Sequence, residues 1–508
     1  MAGPVSSETV AALLRGGEAS QPALISTGRL SLSHAGLRAA VERMRSQLRA
    51  AGVRRGDRVA IVLPNGPEMA LAFLAVATCA TAAPLNPSYR EEEFRFYLHD
   101  LGAKALITLP GDAREAHAAA GEGILRIAID REGDSIGLSN SSATAFGDPE
   151  EPAPDDVALV LHTSGTTSRP KLVPLTQRNL AASAANILRS LELTPEDRCL
   201  NVMPLFHIHG LMAGLLAPLA AGGSVVCSPG FDAFRFLGWL EAHQPTWYTA
   251  VPTMHQLVLA RAERDPRAAR KARLRFLRSS SAPMPPVVMQ RLEVAFDAPL
   301  IEAYGMTEAA HQMATNPLPP GVRKPGSVGR GAGVEVAIMD DAGSTLGEGQ
   351  RGEVVVRGAN VMPGYEGDPQ ANAAAFVDGW LRTGDEGFLD GDGYLHLTGR
   401  LKELINRGGE KVSPREVDEV LLLHPAVAQA VAFALPHERL GEEVAAAVVL
   451  ADGASVGERE LREHAASHLA DFKVPRKIVI VPEIPKGPTG KLQRIGLAEK
   501  LGLGPPGV

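Results

Sequence analysis

Short apolar runs followed by longer helix-like stretches recur along the chain, and this alternation limits the possible folds more than any other feature. In RVAIVLPNGPEMALAFLAVATCA, a strand of the buried type follows Asp57, and Pro64-Asn65-Gly66 leads into a helix. The alternation predicts an α/β fold in which helices cover the sheets. Ligands bind such sheets where the strands end in loops. Further strand candidates lie at 105–108, 157–161, 224–227, 247–250 and 276–277.

The pattern changes in the last two fifths of the chain. Between about 320 and 398, short alternating strands are separated by Gly turns, as in VEVAIMD, GEVVVRG and GYLHLTG. After residue 400 a compact α+β pattern follows, and Ser413 and Glu416 have the spacing of a helix capping box. We predict a helix from there to about 423, strands at about 427–434 and 444–450, and a helix at about 458–469.

A chain of 508 residues exceeds the size at which a single core stops growing. We therefore predict a large amino-terminal domain, 1–399, built of helix-covered mixed sheets. It includes a β-rich subdomain at about 320–399. A small α+β domain, 400–508, follows it.

The composition argues against several classes of partner. The formal net charge of −7 does not fit a general binder of nucleic acid or anionic membranes, which are held by clustered Lys and Arg. No apolar run reaches the roughly 18 residues that cross a bilayer, so we expect no membrane insertion. Cys79, Cys199 and Cys227 lie far apart, which favours a reduced compartment over a disulfide or zinc framework. With neither an export signal nor a peroxisomal signal in the sequence, we expect a cytoplasmic monomer or homodimer.

The stretch HTSGTTSRPK at 162–171 is rich in hydroxyl groups and follows directly on an apolar run. It is not a Walker A loop, because no second Gly precedes Lys171. Its hydroxyls and backbone N–H groups could surround the outer phosphates of a nucleotide, with Lys171 supplying positive charge. A Ser/Thr-rich surface loop is the plain alternative. The loop residues concerned are Thr163, Ser164, Gly165, Thr166, Thr167 and Ser168.

Four segments in this order resemble the signatures of the adenylate-forming enzymes, the superfamily of acyl-CoA synthetases, adenylation domains and firefly luciferase. They are HTSGTTSRPKLVPLTQRNL, EAYGMTEAAHQM, GWLRTGDEGFLDGDGYLHLTGRLKELINRGGEKVSP and IPKGPTGKLQR. The resemblance covers essentially the whole chain. In detail, PLFHIHGLMAGLLAPLAAGG and RSSSAPMPP look most like the oxalate–CoA ligases. One departure is Leu172, which stands where the usual loop has Gly, and we expect it to shift the loop backbone and weaken ATP binding.

The resemblance implies an enzyme that joins an acid to a thiol with ATP, Mg²⁺ and coenzyme A. It implies that Lys491 is the catalytic lysine of adenylation, that Thr307 donates to the α-phosphate and that Glu308 holds Mg²⁺. Tyr304 would lie on the adenine face, and Asp385 would accept from the ribose hydroxyls. A solvated loop lysine, a structural tyrosine and a turn-forming aspartate are the plain alternatives. The residues implied around ATP are Thr163, Ser164, Gly165, Thr166, Thr167, Lys171, Ser281, Ala282, Pro283, Glu302, Ala303, Tyr304, Gly305, Thr307, Asp385, Arg400 and Lys491.

The resemblance also implies that the small domain is mobile, with Lys402 as its hinge. It would close once to bring Lys491 to the nucleotide and again to present Gly408 and Gly409 to the pantetheine arm of coenzyme A. Glycine there would remove side chains from a narrow tunnel. The basic candidates for coenzyme A phosphates, each of which could equally be solvated, are Arg407, Lys411, Lys473, Arg476 and Lys477.

The acid pocket is expected around Phe206-His207-Ile208-His209-Gly210. Two histidines on one strand face are typical of zinc sites, but no Cys or acidic cluster accompanies them, so we favour a substrate role. By resemblance His207 lies next to the substrate carboxylate, and His311 with Ser279 or Ser281 completes a small polar pocket. These groups could hydrogen-bond a second carboxylate, which favours oxalate.

Several alternatives to an oxalate–CoA ligase stay open. They are a ligase for medium- or long-chain fatty acids or hydroxycinnamates, an enzyme that loads a carrier protein, a luciferase-like oxygenase and a non-catalytic nucleotide-binding module.

Overall fold

The computed structural model describes residues 8–28, 30–132, 135–139, 151–163, 170–485 and 492–503. Several predicted site residues lie outside these ranges. They are Ser164, Gly165, Thr166, Thr167, Ser168 and Lys491.

Among the described residues up to 331, the strands form a sheet of nine strands and a sheet of seven. The strands are β1 (Pro22–Ser26), β2 (Ser31–Ser33), β3 (Arg58–Ile61), β4 (Thr81–Pro84), β5 (Ala105–Thr108), β6 (Leu125–Glu132), β7 (Ser135–Ser139), β8 (Val157–Thr163), β9 (Lys171–Thr176), β10 (Arg198–Asn201), β11 (Ser224–Cys227), β12 (Trp247–Ala250), β13 (Phe276–Ser279), β14 (Leu300–Met306), β15 (His311–Thr315) and β16 (Arg330–Gly331). The nine-stranded sheet has the order β16-β15-β14-β13-β12-β10-β11-β1-β2, and the other has the order β7-β6-β5-β3-β4-β8-β9. In both sheets the central strands are parallel, and the antiparallel pairs lie toward the edges, where they involve β2, β15 and β16 in one sheet and β7 and β9 in the other.

Helices connect the parallel strands and cover the sheets. They are α1 (Val10–Leu13), α2 (His34–Ala50), α3 (Pro67–Ala77), α4 (Glu91–Asp100), α5 (Arg114–Ala119), α6 (Gln177–Ser190), α7 (Ile208–Leu211), α8 (Ala217–Ala220), α9 (Phe236–His243), α10 (Pro252–Arg264), α11 (Pro266–Lys271) and α12 (Pro286–Phe296). α3 begins with Pro at its first position and is buried continuously from Met69 to Ala77. It contacts β1 of one sheet and β8 of the other, so the main core lies between the two sheets.

Two smaller sheets complete the fold. In the β-rich region β17 (Glu335–Met339), β18 (Gly352–Arg357), β19 (Phe376–Val377), β20 (Trp380–Leu389) and β21 (Leu395–Arg400) pair around β20, beside α13 (Pro369–Ala375). The last region pairs β22 (Ile405–Arg407), β23 (Glu410–Val412), β24 (Val427–His437), β25 (Gly441–Leu450) and β26 (Lys477–Ile480), with α14 (Pro414–Leu422), α15 (Glu458–Ala466) and α16 (Leu497–Lys500). The α/β prediction with its β-rich and α+β parts is confirmed.

The predicted capping box at Ser413 is wrong, although α14 begins where it was expected. The Ser413 hydroxyl donates to the Thr398 carbonyl, and the Glu416 carboxylate accepts from Lys473 Nζ at 2.7 and 2.8 Å. Both side chains therefore bind neighbouring segments instead of capping the helix, which starts with Pro414 at its first position.

All three cysteines are free and buried. Among the described residues, no helix combines the length and the apolar character that crossing a bilayer requires.

Candidate active site

The carboxyl ends of parallel strands β10, β12, β13 and β14 meet at one edge of the nine-stranded sheet. The loop that contains His207 follows β10, and Ser281 follows β13. β14 continues into a single 3₁₀ turn, Thr307–Ala309. Most of the acid-pocket and nucleotide residues predicted from the sequence are therefore delivered to the same edge, where α/β sheets bind ligands.

The hydroxyl-rich loop joins two paired strands. Thr163 ends β8 and is directly opposite Lys171, which begins β9. Leu172 is opposite His162, its carbonyl accepts from the Glu366 N–H at 3.1 Å, and its side chain packs on an apolar cluster. Leu172 thus continues the strand ladder, and the predicted distortion of the loop backbone concerns residues outside the described ranges.

Lys171 and Glu308 both contact Tyr365, a residue that the sequence analysis did not identify. Lys171 Nζ lies 4.5 Å from the centroid of the Tyr365 ring, and the Tyr365 hydroxyl donates to Glu308 Oε1 at 2.9 Å. Burial is the main cause that raises the pKa of Tyr365, so the phenol keeps its proton as a donor. Thr307 precedes Glu308 in the 3₁₀ turn. One tyrosine thus contacts a cation through its ring and a carboxylate through its hydroxyl.

Tyr304, Asp385 and Arg400 form a second cluster. The Tyr304 hydroxyl donates to Asp385 Oδ2 at 2.5 Å, and Arg400 Nε lies 3.0 Å from Asp385 Oδ1. Asp385 on β20 is directly opposite Arg400 on β21, which fixes the ion pair through the strand register. The Asp385 carboxylate is the main cause that raises the pKa of Arg400. The structure therefore brings together three residues that were 96 positions apart at most in the chain.

Glu302 is buried on β14 behind this cluster. Its Oε1 accepts from the Met284 N–H at 3.0 Å, and its Oε2 has no partner among the described residues. Burial raises the pKa of Glu302 to about 7. Ala282 and Pro283 lie on the loop that leads to Met284.

Gly305 is required where β14 and β15 approach each other most closely. A Cβ atom at Gly305 would lie 1.7 Å from the His311 carbonyl oxygen. The β14–β15 register shifts between Tyr304 and Gly305, next to Ala303 opposite Thr315. The His311 side chain, at the start of β15, reaches Arg278 on β13 at 3.1 Å.

The acid-pocket residues surround Arg278, which the sequence analysis missed. Arg278 is fully buried on β13, and its guanidinium lies 3.3 Å from His209 Nε2 and 3.1 Å from His311 Nε2. His209 Nδ1 is 3.1 Å from Ser281 Oγ, and the two imidazoles stack with centroids 4.7 Å apart. An arginine inside the apolar strand sequence FLRS was the signal available in the sequence.

His207 and His209 do not share a strand face, so that part of the interpretation is wrong. His207 caps α7, with Nδ1 accepting from the His209 N–H at 3.2 Å, and His209 lies inside the helix. A Cβ atom at Gly210 would lie 2.3 Å from the Pro204 carbonyl oxygen, so glycine is required where α7 packs on the preceding loop. Ser279 is buried nearby, and its Oγ has no partner among the described residues.

The residues expected to hold coenzyme A lie in the last region. Gly408 and Gly409, with φ of 61° and 97°, form the two-residue turn between β22 and β23. Such turns require positive φ at both positions, so the glycines also have a local structural reason. Lys411 is exposed on β23, and Lys473 pairs with Glu416.

The other basic candidates in this region also have acidic neighbours. Arg407 pairs with Glu443, Lys477 with Glu458 at 3.2 Å, and Arg476 with Asp471 at 3.3 Å. Lys402 lies in the turn between β21 and β22.

Comparison with known proteins agrees with this geometry. Residues 16–366 match the family model of the AMP-binding enzymes, and 416–491 match that of the AMP-binding enzyme C-terminal domain. The chain is 47% identical to an oxalate–CoA ligase of Arabidopsis thaliana over 487 residues, covering 93% of this chain and 94% of that protein. It is 42% identical to an oxalate–CoA ligase of Saccharomyces cerevisiae over 477 residues, covering 88% and 87%. The crystal structure of ATP-bound MatB from Rhodopseudomonas palustris superimposes with a TM-score of 0.88 at 30% identity, covering 97% of this chain and 99% of that one. The chain belongs to the AMP-binding enzyme family.

Proposed function

We propose that this protein is an ATP- and coenzyme A-dependent ligase that converts a carboxylic acid to an acyl-adenylate and then to a thioester, with oxalate as the acid. One observation carries the proposal. β14 leads from Tyr304, which is bonded to Asp385, to Glu308, and its partner strand β15 begins with His311 beside Arg278. The candidate nucleotide contacts and the candidate acid pocket thus share one end of two paired strands.

The chemistry explains why the nucleotide contacts and the acid pocket must be adjacent. A carboxylate is a poor acyl donor because its leaving group would be oxide. Attack of a carboxylate oxygen on the α-phosphorus of ATP releases pyrophosphate and gives a mixed anhydride, which a thiolate then opens with release of AMP. The first step needs positive charge and donors where negative charge develops.

The donor set fits a nucleoside triphosphate. The Asp385 carboxylate contacts Tyr304 and Arg400 in this structure. We propose that it accepts hydrogen bonds from the ribose hydroxyls instead when ATP is bound. Lys171, at the base of the hydroxyl-rich loop, offers an ammonium group to phosphate oxygens. We propose that Thr307 and Lys491 contact the α-phosphate, as the sequence resemblance implies.

Glu308 fits a magnesium ion bound together with phosphate. Mg²⁺ in such sites uses one or two carboxylates, with substrate phosphates and water as the other ligands. No cluster of three or more His, Cys, Asp or Glu side chains suited to a metal occurs in the part of the chain that the structure describes. The ion would neutralise phosphate charge, while Tyr365 keeps the Glu308 carboxylate oriented.

We further propose that 1–399 and 400–508 act as two domains joined at Lys402, and that Gly408, Gly409, Lys411 and Lys473 serve coenzyme A. The small domain would present Lys491 in the first step and the β22–β23 turn in the second. Of the two candidate cations, Lys411 is exposed and needs no rearrangement, whereas Lys473 would have to leave Glu416.

The buried cation of Arg278 supports oxalate over fatty acids and hydroxycinnamates. An alkyl or aromatic chain provides neither negative charge nor hydrogen-bond acceptors for a buried guanidinium, whereas a second carboxylate provides both. The family relationship with the two oxalate–CoA ligases supports the same choice. The proposed location is the cytoplasm, since all three thiols are free. We propose a monomer or homodimer, since the residues that the structure brings together at the candidate active site all belong to one chain.

A panel of acids tests the activity. Coenzyme A-dependent AMP release is measured with oxalate, malonate, acetate, octanoate and a hydroxycinnamate. We expect oxalate to be preferred, and turnover of octanoate without turnover of oxalate would refute the assignment.

Lys491→Ala tests the mechanism on the same protein. We expect ATP–pyrophosphate exchange to fall about 10²–10³-fold, the scale for loss of one preorganised charge-stabilising donor. Transfer from preformed oxalyl-AMP to coenzyme A should survive, because that step does not need this lysine. Unchanged exchange in the variant would contradict its proposed role.

A further inference from the structure

Arg278 is a buried cation surrounded by neutral acceptors. Its NH1 lies 3.3 Å from His209 Nε2 and donates to Thr249 Oγ1 at 3.2 Å. Its NH2 lies 3.1 Å from His311 Nε2 and donates to Gln312 Oε1 at 3.0 Å. Among the described residues no carboxylate hydrogen-bonds to this guanidinium, and its Nε has no partner. Burial lowers the pKa of Arg278 to about 9, which reflects a charge without a counter-ion.

The guanidinium determines which nitrogen of each histidine carries the proton. Arginine has only donors, so His311 Nε2 must present its lone pair to Arg278. A neutral imidazole with an accepting Nε2 carries its proton on Nδ1, and an imidazolium would point a second N–H at the guanidinium. His311 is therefore neutral, with its proton on Nδ1.

Thr249 helps to fix the tautomer of His209 in the same way. Because Thr249 Oγ1 accepts from Arg278, its own proton is available for His209 Nε2 at 2.6 Å. His209 Nε2 is thus an acceptor from both Thr249 and Arg278, and the His209 proton lies on Nδ1. His209 Nδ1 then donates to Ser281 Oγ at 3.1 Å.

Ser281 ends this chain of hydrogen bonds at the half-buried edge of the site. Since its oxygen accepts from His209, its hydroxyl proton is left to donate to a ligand. A positive φ of 75° at Ser281 turns the loop back toward His209 after β13. If His209 instead carried its proton on Nε2, Ser281 would donate to His209 Nδ1. Its hydroxyl proton would then not be available to a ligand.

We propose that Arg278 is a positioning residue for the acid substrate, which fixes the tautomers of His209 and His311 and selects small acids that bring a second anionic group. The inference rests on the proposed function and extends it in two ways. It assigns a role to Arg278, and it adds a charge rule, namely that small acids with two negative charges are preferred. A dianion supplies the missing counter-charge for Arg278 and accepts from Ser281, whereas a monoanion of the same size supplies only one of the two anionic groups.

Pyrophosphate exchange with oxalate and with glyoxylate, an acid of similar size and one negative charge, tests the charge rule. In Arg278→Met we expect the KM for oxalate to rise about 100-fold, as for a buried charge that loses its partner. The KM for ATP and the exchange with glyoxylate should stay within about threefold. Arg291→Met removes an exposed arginine paired with Glu263 and should leave every value unchanged. An unchanged KM for oxalate in folded Arg278→Met would overturn the proposal.

Nitrogen-15 NMR of the histidines, without any acid, tests the positioning directly. Signals are assigned with His209→Gln and His311→Gln. The native protein should show unprotonated Nε2 at both residues, and Arg278→Met should lose this preference. Protonated Nε2 in the native protein would contradict the inference. A purely structural role of Arg278 would not predict a change of tautomer in Arg278→Met.

Two further variants keep the test decisive if Arg278→Met does not fold. Arg278→Lys keeps a charge but offers a single ammonium group that does not match the fork between the two histidines. Thr249→Val keeps Arg278 and removes the hydroxyl donor to His209. Each should raise the KM for oxalate about tenfold while exchange with glyoxylate persists, and equality with the native protein would refute the proposal. Absence of exchange with any acid in the native protein would instead reject the proposed function, while the NMR result would still decide the role of Arg278.

Discussion

Glu302 is a carboxyl group enclosed in the fold with one oxygen bonded to the Met284 amide and the other without a partner among the described residues. Its raised pKa links the stability of the protein to pH. An ordinary glutamate titrates near 4.5, and Glu302 titrates at about 7. Between these values the folded protein retains a proton that the unfolded chain has lost, so stability falls as pH rises through this range.

Glu302→Gln should remove this dependence. The amide keeps an acceptor for the Met284 N–H and has no charged form to desolvate. From pH 5 to pH 8 the native protein should lose roughly 2.5 kcal/mol more stability than the variant, on the basis of 1.36 kcal/mol per pKa unit. Urea unfolding at both pH values measures the difference. Parallel pH profiles of the two proteins would show that Glu302 is ionised in the fold.

At the residue level, the sequence identified most members of the candidate site but not the contacts that join them. Tyr304, Asp385 and Arg400 were each placed near ATP, and the structure joins them by hydrogen bonds that no local pattern contains. Arg278 was missed because a charged residue in a strand is ordinarily taken to face solvent. Its enclosure is revealed only by the contacts of its guanidinium with His311 and Gln312 on β15.

At the level of elements, the turn between β22 and β23 has two explanations that can be separated. Gly408 and Gly409 satisfy the positive φ of a two-residue hairpin turn, and they are also the residues proposed to admit coenzyme A. A Cβ atom at Gly409 meets nothing within 4 Å, so a substitution there costs only backbone strain inside the protein.

Gly409→Ala should lower the transfer to coenzyme A at least about tenfold, the scale for one methyl group that blocks a fitted site. Pyrophosphate exchange should not change. Gly453→Ala is the matched control, because Gly453 also has a positive φ, of 76°, and open space around it in the same region. Equal loss of transfer in both variants would mean that strain, and not access for the thiol, limits the reaction.

Element positions followed from the sequence more accurately than element ends. β8, β11, β12 and α14 lie where hydrophobic runs and Pro placed them. The Ser413 cap failed because a serine near a second strand can donate to that strand instead. α7 was not expected, since the sequence analysis placed His207 and His209 on a strand, whereas α7 continues through the π-helix Met212–Leu216 into α8.

At the level of the whole molecule, an ion pair other than Arg400–Asp385 also joins the proposed domains among the described residues, from Arg264 at the end of α10 to Asp452 after β25. Both side chains are more than half exposed, so this pair contributes at most about 1 kcal/mol. The pair is therefore only a small barrier to rotation of the last hundred residues about the turn that contains Lys402.

Lys402→Pro should separate the two half-reactions. Proline fixes φ near −65° and removes freedom from a hinge that must change conformation between steps. We expect transfer to coenzyme A to fall about tenfold or more while pyrophosphate exchange stays within about threefold of native. Lys402→Ala removes the side chain alone and should behave as native. If the proline variant loses both half-reactions equally, the turn does not act as a hinge.

The burial of the three cysteines has a practical consequence for observing such motion. Burial raises the pKa of Cys79 to about 11, and it raises the pKa values of Cys199 and Cys227 as well. Reagents that attack thiolates will therefore spare all three in the folded protein. A cysteine engineered on the surface of each domain would be labelled alone, so fluorescent or spin-label pairs could follow the swing of the small domain during turnover in an otherwise native chain.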